Sequence, residues 1–148
     1  MPPQASYANC QEDLEVLAFF GSEAGTFVEA GANHPVNGSQ TYLLEQKGWR
    51  GVLIEPNPEL AKLCRELRPS SQTFACALVE PGAPEKVRLR IPGRSSAAAS
   101  IVETSAKVLD EDAFIECPAR TLDMVLQESG IERLDYFSID LEGYEVRR

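Results

Sequence analysis

Between Gly51 and Leu67 the chain spells out one complete unit of an α/β sheet. Gly51-Val52-Leu53-Ile54-Glu55 is an unbroken apolar run closed by an acid. A strand with no polar alternation suits burial on both faces, which a parallel sheet covered by helices provides. Pro56-Asn57-Pro58 ends the run. Asn57 is placed to cap a helix, and Pro58 suits its first position, where a missing N–H is no loss. Leu60, Leu63, Cys64 and Leu67 then recur at i, i+3, i+4 and i+7, the stripe of a helix lying on a sheet. Pro69 stops it.

The same alternation of apolar runs and helical patterns extends along the chain and predicts an α/β fold with helices on both faces. Residues 1–11 read as an N-terminal tail, and residues 12–148 as one cofactor-binding domain. Glu12 to Phe20 reads as a helix with Leu14, Leu17 and Ala18 on one face, stopped by Gly21. Thr26 to Ala30 is a strand that runs into the turn-rich loop Gly31 to Gly38. A helix over Ser39 to Lys47 follows, with Ser39 as N-cap and Gly48 after its end. Thr73 to Val79 reads as a third strand. Val87, Leu89 and Ile91 alternate with Arg88 and Arg90, the pattern of a half-exposed, antiparallel strand. Its expected partner is Ala113 to Pro118. Thr121-Leu122-Asp123 opens a helix that ends at Gly130, and Tyr136 to Asp140 is the fourth core strand.

Charge narrows the partners. Fourteen Lys and Arg against 23 Asp and Glu leave a net charge of −9, which repels nucleic-acid backbones and anionic membrane surfaces. The expected partner is therefore a small molecule. No apolar run approaches the ~20 residues that span a bilayer. Met1-Pro2-Pro3-Gln4 has neither a basic nor an apolar leader region, so a cytoplasmic location is expected. Cys10, Cys64, Cys76 and Cys117 include no C-x-x-C, and His34 is the single histidine. No metal site is expected from that spacing, and the cysteines read as small buried hydrophobes.

Polar residues gather where the strands end. They are Glu29-Ala30-Gly31-Ala32-Asn33, Glu55-Pro56-Asn57 and Asp140-Leu141-Glu142-Gly143. In open α/β sheets, ligands bind outside these carboxyl ends. Gly31 allows a sharp turn and a close approach, and Asn33 is a residue type that tolerates the left-handed region. Glu55 lies 24 positions after Gly31, near the spacing of about 20 at which an acid accepts from a ribose diol. A dinucleotide needs G-x-G-x-x-G around its pyrophosphate. Here Asn33 replaces a glycine and Pro35 removes an amide donor. S-adenosylmethionine has no phosphate and carries two cationic groups, which acids such as Glu29 and Asp140 suit. The loop thus favours S-adenosylmethionine over NAD.

These motifs resemble the FkbM family of S-adenosylmethionine-dependent methyltransferases. The residues are Ser6-Tyr7 with Gln11-Glu12-Asp13-Leu14, then Phe27 to Asn33, Thr41 to Glu45, and Gly48 to Pro58. Thr121-Leu122-Asp123 and Phe137 to Gly143 complete the set. The resemblance implies a Rossmann-like class I methyltransferase sheet, and O-methylation of a small-molecule or sugar hydroxyl. It implies that Glu29, Gly31, Ala32 and Asn33 line the methionine end of the cofactor. Glu55 would bind the ribose, with Pro56 and Asn57 bordering the adenine, and Cys76 and Ala77 flanking it. Asp140 would lie at the mouth, near the cofactor's amino group and the transferred methyl.

His34-Pro35 departs from the Asp then Gly often found there in the family. The expected sheet also lacks the usual C-terminal strands. The fourth strand would then be an exposed edge, which a second copy of the chain could cover. A base for the acceptor hydroxyl is expected among His34, Asp140 and Glu142, with a solvent-facing loop role the other reading of His34. Trp49 and Tyr42 are expected in the core rather than against adenine. Ser95 and Ser96, before Ala97-Ala98-Ala99, read as a loop over the site or as a plain connector. Two other functions remain open at this point. One is a truncated, non-catalytic domain that binds cofactor or a partner; the other, disfavoured by the loop, is an NAD(P)-dependent oxidoreductase.

Overall fold

A computed structural model describes residues 4–91, 100–101 and 113–141. Its elements in chain order are α1 (Glu12–Phe20), β1 (Thr26–Ala30), α2 (Tyr42–Gln46), β2 (Arg50–Ile54), α3 (Pro58–Leu67) and β3 (Gln72–Phe74). There follow β4 (Ala77–Leu78), β5 (Lys86–Ile91), β6 (Ser100–Ile101), β7 (Ala113–Arg120), α4 (Leu122–Ser129) and β8 (Tyr136–Ile139). One sheet has the order β3-β2-β1-β8 with every pairing parallel. The chain steps outward from β1 to β2 and β3, then returns to the opposite side of β1 with β8. That reversal opens a crevice between the ends of β1 and β8. This is a Rossmann-like α/β fold.

Both faces of the sheet are covered. Val28, Ala30, Val52 and Ile54 point to one side and pack with Val125 of α4. Phe27 and Leu53 point to the other and pack with Leu44, Trp49 and Cys64. The continuous apolar runs of β1 and β2 follow from this double cover. Trp49 is buried, with its ring edge-on to Phe20 at 5.0 Å, and so has the core role expected of it.

Local signals behave as their chemistry predicts. The Asn57 side chain accepts from the Glu59 amide at 3.0 Å, with Pro58 in the first turn of α3. Thr121 accepts from the Met124 amide at the start of α4, and Gly130 closes that helix at φ +74°. The helix expected over Ser39 to Lys47 is shorter, Tyr42–Gln46 with Thr41 rather than Ser39 at its N-cap position, though Ser39 Oγ still accepts from the Thr41 and Tyr42 amides at 3.2 and 3.0 Å.

Four expectations change. Residues 73–79 are not one strand: β3 pairs with β2, while β4 pairs with Ala119–Arg120 of β7 in a second sheet of order β4-β7-β5-β6. The β2 ladder ends at Pro56, which has no N–H to offer, so the chain seeks another partner beyond Phe74. In α1, Ala18 is exposed, and the inward stripe is Asp13, Val16, Leu17 and Phe20. An acid leads that stripe because its carboxylate accepts from the Tyr7 and Ala8 amides at 2.8 and 3.3 Å, and from Ser6 Oγ. The segment read as a tail is thereby held against the domain, and Ala8 bridges to Gly38. Cys10 is exposed, whereas Cys64, Cys76 and Cys117 are buried. Burial pushes the Cys64 thiol up to about 12 and Cys76 to about 11, which leaves them as core packing groups at neutral pH.

β5 pairs with β7 in antiparallel register, as the alternation of residues 87–91 predicts. At the far side of the first sheet, β8 has β1 as its one ladder partner among the described residues, and its Phe137 and Ile139 side chains are exposed. No helix among the described residues is long and apolar enough to cross a membrane.

Candidate functional site

The crevice at the reversal point holds a cavity of about 260 Å³. The β1 end contributes Glu29, Gly31, Ala32 and Asn33; the β8 end contributes Ser138 and Asp140. Asn37, Gly38 and Gln40 come from the loop before α2, and Asn9 from the N-terminal segment. Glu29 and Asp140 are its carboxylates, and no Lys or Arg is among these lining residues.

Gly31 makes this geometry possible. It sits at φ +78°, and a Cβ there would lie 1.8 Å from the Asp140 carbonyl oxygen. The close approach is held by Asp140 N donating to Ala30 O at 2.9 Å, while Gly31 N and Ala32 N both donate to Ile54 O at 2.9 and 3.1 Å. The tips of β1, β2 and β8 are thus tied together across one glycine. Asn33 follows at φ +54°, the left-handed region its residue type tolerates.

Two acids at strand ends have their carboxylates turned inward. Glu29 is 4% exposed. It accepts from Ser39 Oγ at 3.0 Å, from the Gln40 amide at 3.1 Å and from Thr41 Oγ1. Burial drives its carboxyl above the ordinary range, opposed by those donors and by the Arg68 guanidinium. Glu55, also 4% exposed, bridges two loops: Oε1 accepts from the Asn33 amide at 2.8 Å and Oε2 from the Asn57 amide at 2.7 Å. Burial raises its pKa as well, against the two amides. Each of its oxygens keeps one lone pair for a further donor.

The loop's own amides are spent inside the protein. Val36 N and Asn37 N donate to His34 Nδ1 at 3.1 and 3.0 Å, and Gly38 N donates to Tyr7 O at 2.9 Å. With Gly31, Ala32, Asn33 and Gln40 also committed, little remains of the amide cradle that a bound phosphate requires. Asn33 Oδ1 is the opposite case. It is buried, belongs to a lining residue, and has no hydrogen-bond partner among the described residues. A buried acceptor without a donor is a cost that a cationic or N–H-bearing group brought beside it would relieve.

Residues 29–147 match the family model for the methyltransferase FkbM domain. The chain belongs to the FkbM methyltransferase family. Comparison with curated proteins gives no match, and comparison with solved structures gives none.

In this FkbM domain, the sequence-predicted residues that the structure describes fall into three groups. Glu29, Gly31, Ala32, Asn33 and Asp140 meet at the cavity. Glu55 stands one layer behind it, joined to the wall through Asn33. Pro56, Asn57, Cys76 and Ala77 do not line this cavity. Asn57 caps α3, Cys76 packs in the core under Ile54, and Ala77 packs with Leu89 and Cys117. His34 is also absent from the lining. Its Nδ1 closes its own turn by accepting from two loop amides, so the nitrogen left for proton transfer is Nε2. Glu142, with residues 95–99, lies outside the described residues.

Sequence reasoning missed Gln40, Ser138, Asn9, Asn37 and Gly38. Gln40 Oε1 accepts from Ser138 Oγ at 2.7 Å and Tyr136 Oη at 2.9 Å, fastening the loop to β8. Strand alternation could have found Ser138, because it pairs in register with Glu29 and shares its face. No local signal points to Asn9.

The raised carboxyl of Glu55 has a pH signature. The folded chain keeps a proton on it over a range above 4.5 where the unfolded chain has lost it. Stability from this group therefore falls as pH rises from 4.5 through the folded-state value. Glu55→Gln has no such titration. The stability of the wild-type chain relative to Glu55→Gln should decline from pH 4.5 upward and then level off, measured by urea unfolding across that range. A constant difference would show that Glu55 does not titrate above its ordinary range.

Proposed function

We propose that this FkbM domain binds S-adenosylmethionine across the tips of β1, β2 and β8 and transfers its methyl group to a hydroxyl of a small molecule or sugar. The observation that carries the cofactor choice is the pairing of an acid-lined cavity with a loop whose amides are already satisfied. A phosphate would meet two carboxylates and few free donors there; a sulfonium and an ammonium would meet compensating charge. The acceptor class rests on the family resemblance, and the net charge of −9 speaks for a small acceptor over nucleic acid or a membrane surface.

In this reading, Glu29 and the unpartnered Asn33 Oδ1 receive the ammonium group. Glu55 accepts from the ribose diol with its remaining lone pairs. Pro56 and Asn57 border the adenine, with Cys76, between β3 and β4, and Ala77 of β4 packed in the core behind them. When bound, the cofactor supplies a methyl group on a positively charged sulfur, which an oxygen nucleophile attacks. The chain's task is then mainly to align the two, which lowers the barrier through proximity. Asp140, exposed at the mouth, is the described acid best placed to take the acceptor's proton.

Titration calorimetry with S-adenosylmethionine and with NAD tests the cofactor. Binding of the first with none of the second is expected; tight NAD binding without S-adenosylmethionine binding would overturn the reading. A methyl-transfer assay over a panel of hydroxyl acceptors then separates an enzyme from a domain that only binds.

A further inference from the structure

Behind the cavity wall lies a buried cation that no strand-end motif contains. Arg68, the residue that closes α3, is 0% exposed. Its Nη1 donates to Pro35 O at 3.0 Å and to Ser39 Oγ at 3.2 Å, and its Nη2 to Thr41 Oγ1 at 3.0 Å. Its Nε pairs with Glu45, which also accepts from Ser71 Oγ at 2.9 Å. The guanidinium carbon stands 5.8 Å from the Phe27 ring centroid and 5.6 Å from that of Tyr42.

The direction of these bonds is forced. Arginine has donors and no acceptor, and a hydroxyl has one proton to give. Ser39 and Thr41 receive from Arg68 with their lone pairs, so their protons go to Oε2 of Glu29. The Gln40 amide occupies Oε1. The network runs one way, from the Arg68 cation through two hydroxyls to the Glu29 side chain at the cavity. A proton on Glu29 finds no acceptor among these neighbours unless one of the bonds is given up.

We propose that Arg68 is a positioning residue for the cofactor, holding Glu29 as a carboxylate in the cavity wall through the hydroxyls of Ser39 and Thr41, ready for the cofactor's ammonium group. This rests on reading the cavity as an S-adenosylmethionine site. Other titratable groups also face Glu29. Tyr136 of β8 and Cys64 of α3 interact electrostatically with it; Glu12 and Asp13 of α1 act in turn on Tyr136, Glu55 and Arg65 on Cys64, Glu45 pairs with Arg68, and Asp140 shares the cavity. Arg68 is the cation that opposes the burial of Glu29.

The test is S-adenosylmethionine affinity from pH 5.5 to 8.5, by calorimetry on the full chain, for wild type, Arg68→Met, Arg68→Lys and Glu29→Gln. Wild-type binding should weaken at the acid end as Glu29 takes up a proton. In Arg68→Met the midpoint should move up by about one pH unit or more, which weakens binding about tenfold below the wild-type midpoint and leaves it unchanged well above the new one. Arg68→Lys, which keeps the charge, should recover most of the shift. Glu29→Gln should lose this pH dependence; a dependence of wild-type size in that variant would take Glu29 out of the titration and overturn the inference. If Arg68→Met does not fold, the charge-balanced pair Arg68→Met with Glu45→Gln takes its place. A loss of equal factor at every pH, or no recovery by lysine, would reduce Arg68 to a packing role and overturn the inference. Failure of the wild-type chain to bind S-adenosylmethionine would remove the cofactor reading itself.

Discussion

Gly31→Ala is expected to lower stability by about 3–5 kcal/mol, at the upper end of single-site effects, and to abolish cofactor binding. The left-handed backbone alone costs a side chain roughly 1–2 kcal/mol. The larger part comes from the Cβ, which would stand 1.8 Å from the Asp140 carbonyl oxygen, backbone that cannot rotate aside. Relief requires β1 and β8 to part at their tips, which strains the bond from Asp140 N to Ala30 O and the pair from Gly31 and Ala32 to Ile54 O. Gly82→Ala is the matched control. Gly82 has φ +88° but nothing within 4 Å of the added carbon, so it isolates the conformational part. Urea unfolding of both variants should separate them by at least about 2 kcal/mol, the value of a buried steric conflict. Equal losses would mean that the strand tips do not approach as described.

Glu55→Ala is expected to be the second most damaging change. It removes one side chain and leaves two amides, those of Asn33 and Asn57, without acceptors. Each unmet buried donor costs about 1–3 kcal/mol, offset in part by no longer burying a charge. The binding effect should exceed the stability effect. The carboxylate holds the Asn33 loop on one side and the Asn57 turn on the other, and in the proposed complex it also accepts from the ribose. A loss of 100-fold or more in S-adenosylmethionine affinity is expected, from about 3 kcal/mol of lost charged hydrogen bonding. Glu55→Gln retains one acceptor oxygen but sets an NH₂ against the other amide, so it should fall between. Affinity within threefold of wild type for Glu55→Ala would remove the carboxylate from the ribose site.

The two carboxylates behave differently because of what holds them. Glu55 is met by backbone amides alone, so its environment is fixed by the path of two loops. Glu29 is met by one amide and two hydroxyls that Arg68 also touches. Substitutions at Ser39 or Thr41 should thus register at the cavity through Glu29.

Much of the fold was legible in the residues because its signals act over a few positions. The run Val52-Leu53-Ile54, the Asn57 cap, Pro58 at the start of α3 and Gly130 at the end of α4 each answer to a local rule of backbone geometry, and each stands where it was read. Gly31, Asn33 and Glu55 were legible for the same reason: a strand end, a left-handed turn and an acid are short patterns. What depended on contacts far apart in the chain was not. Asp13 looks like a surface acid until residues 6–8 fold back onto it. Residues 73–79 look like one strand until β2 runs out of donors at Pro56 and β7 offers another ladder. Arg68 looks like the solvated end of a helix until the loop from Pro35 to Thr41 closes over it, 27 or more positions earlier in sequence. Periodicity and capping report what a residue prefers within its own turn or strand. Only the packed structure decides which polar group is left facing another across the core, because that pairing is set by the layout of the whole sheet.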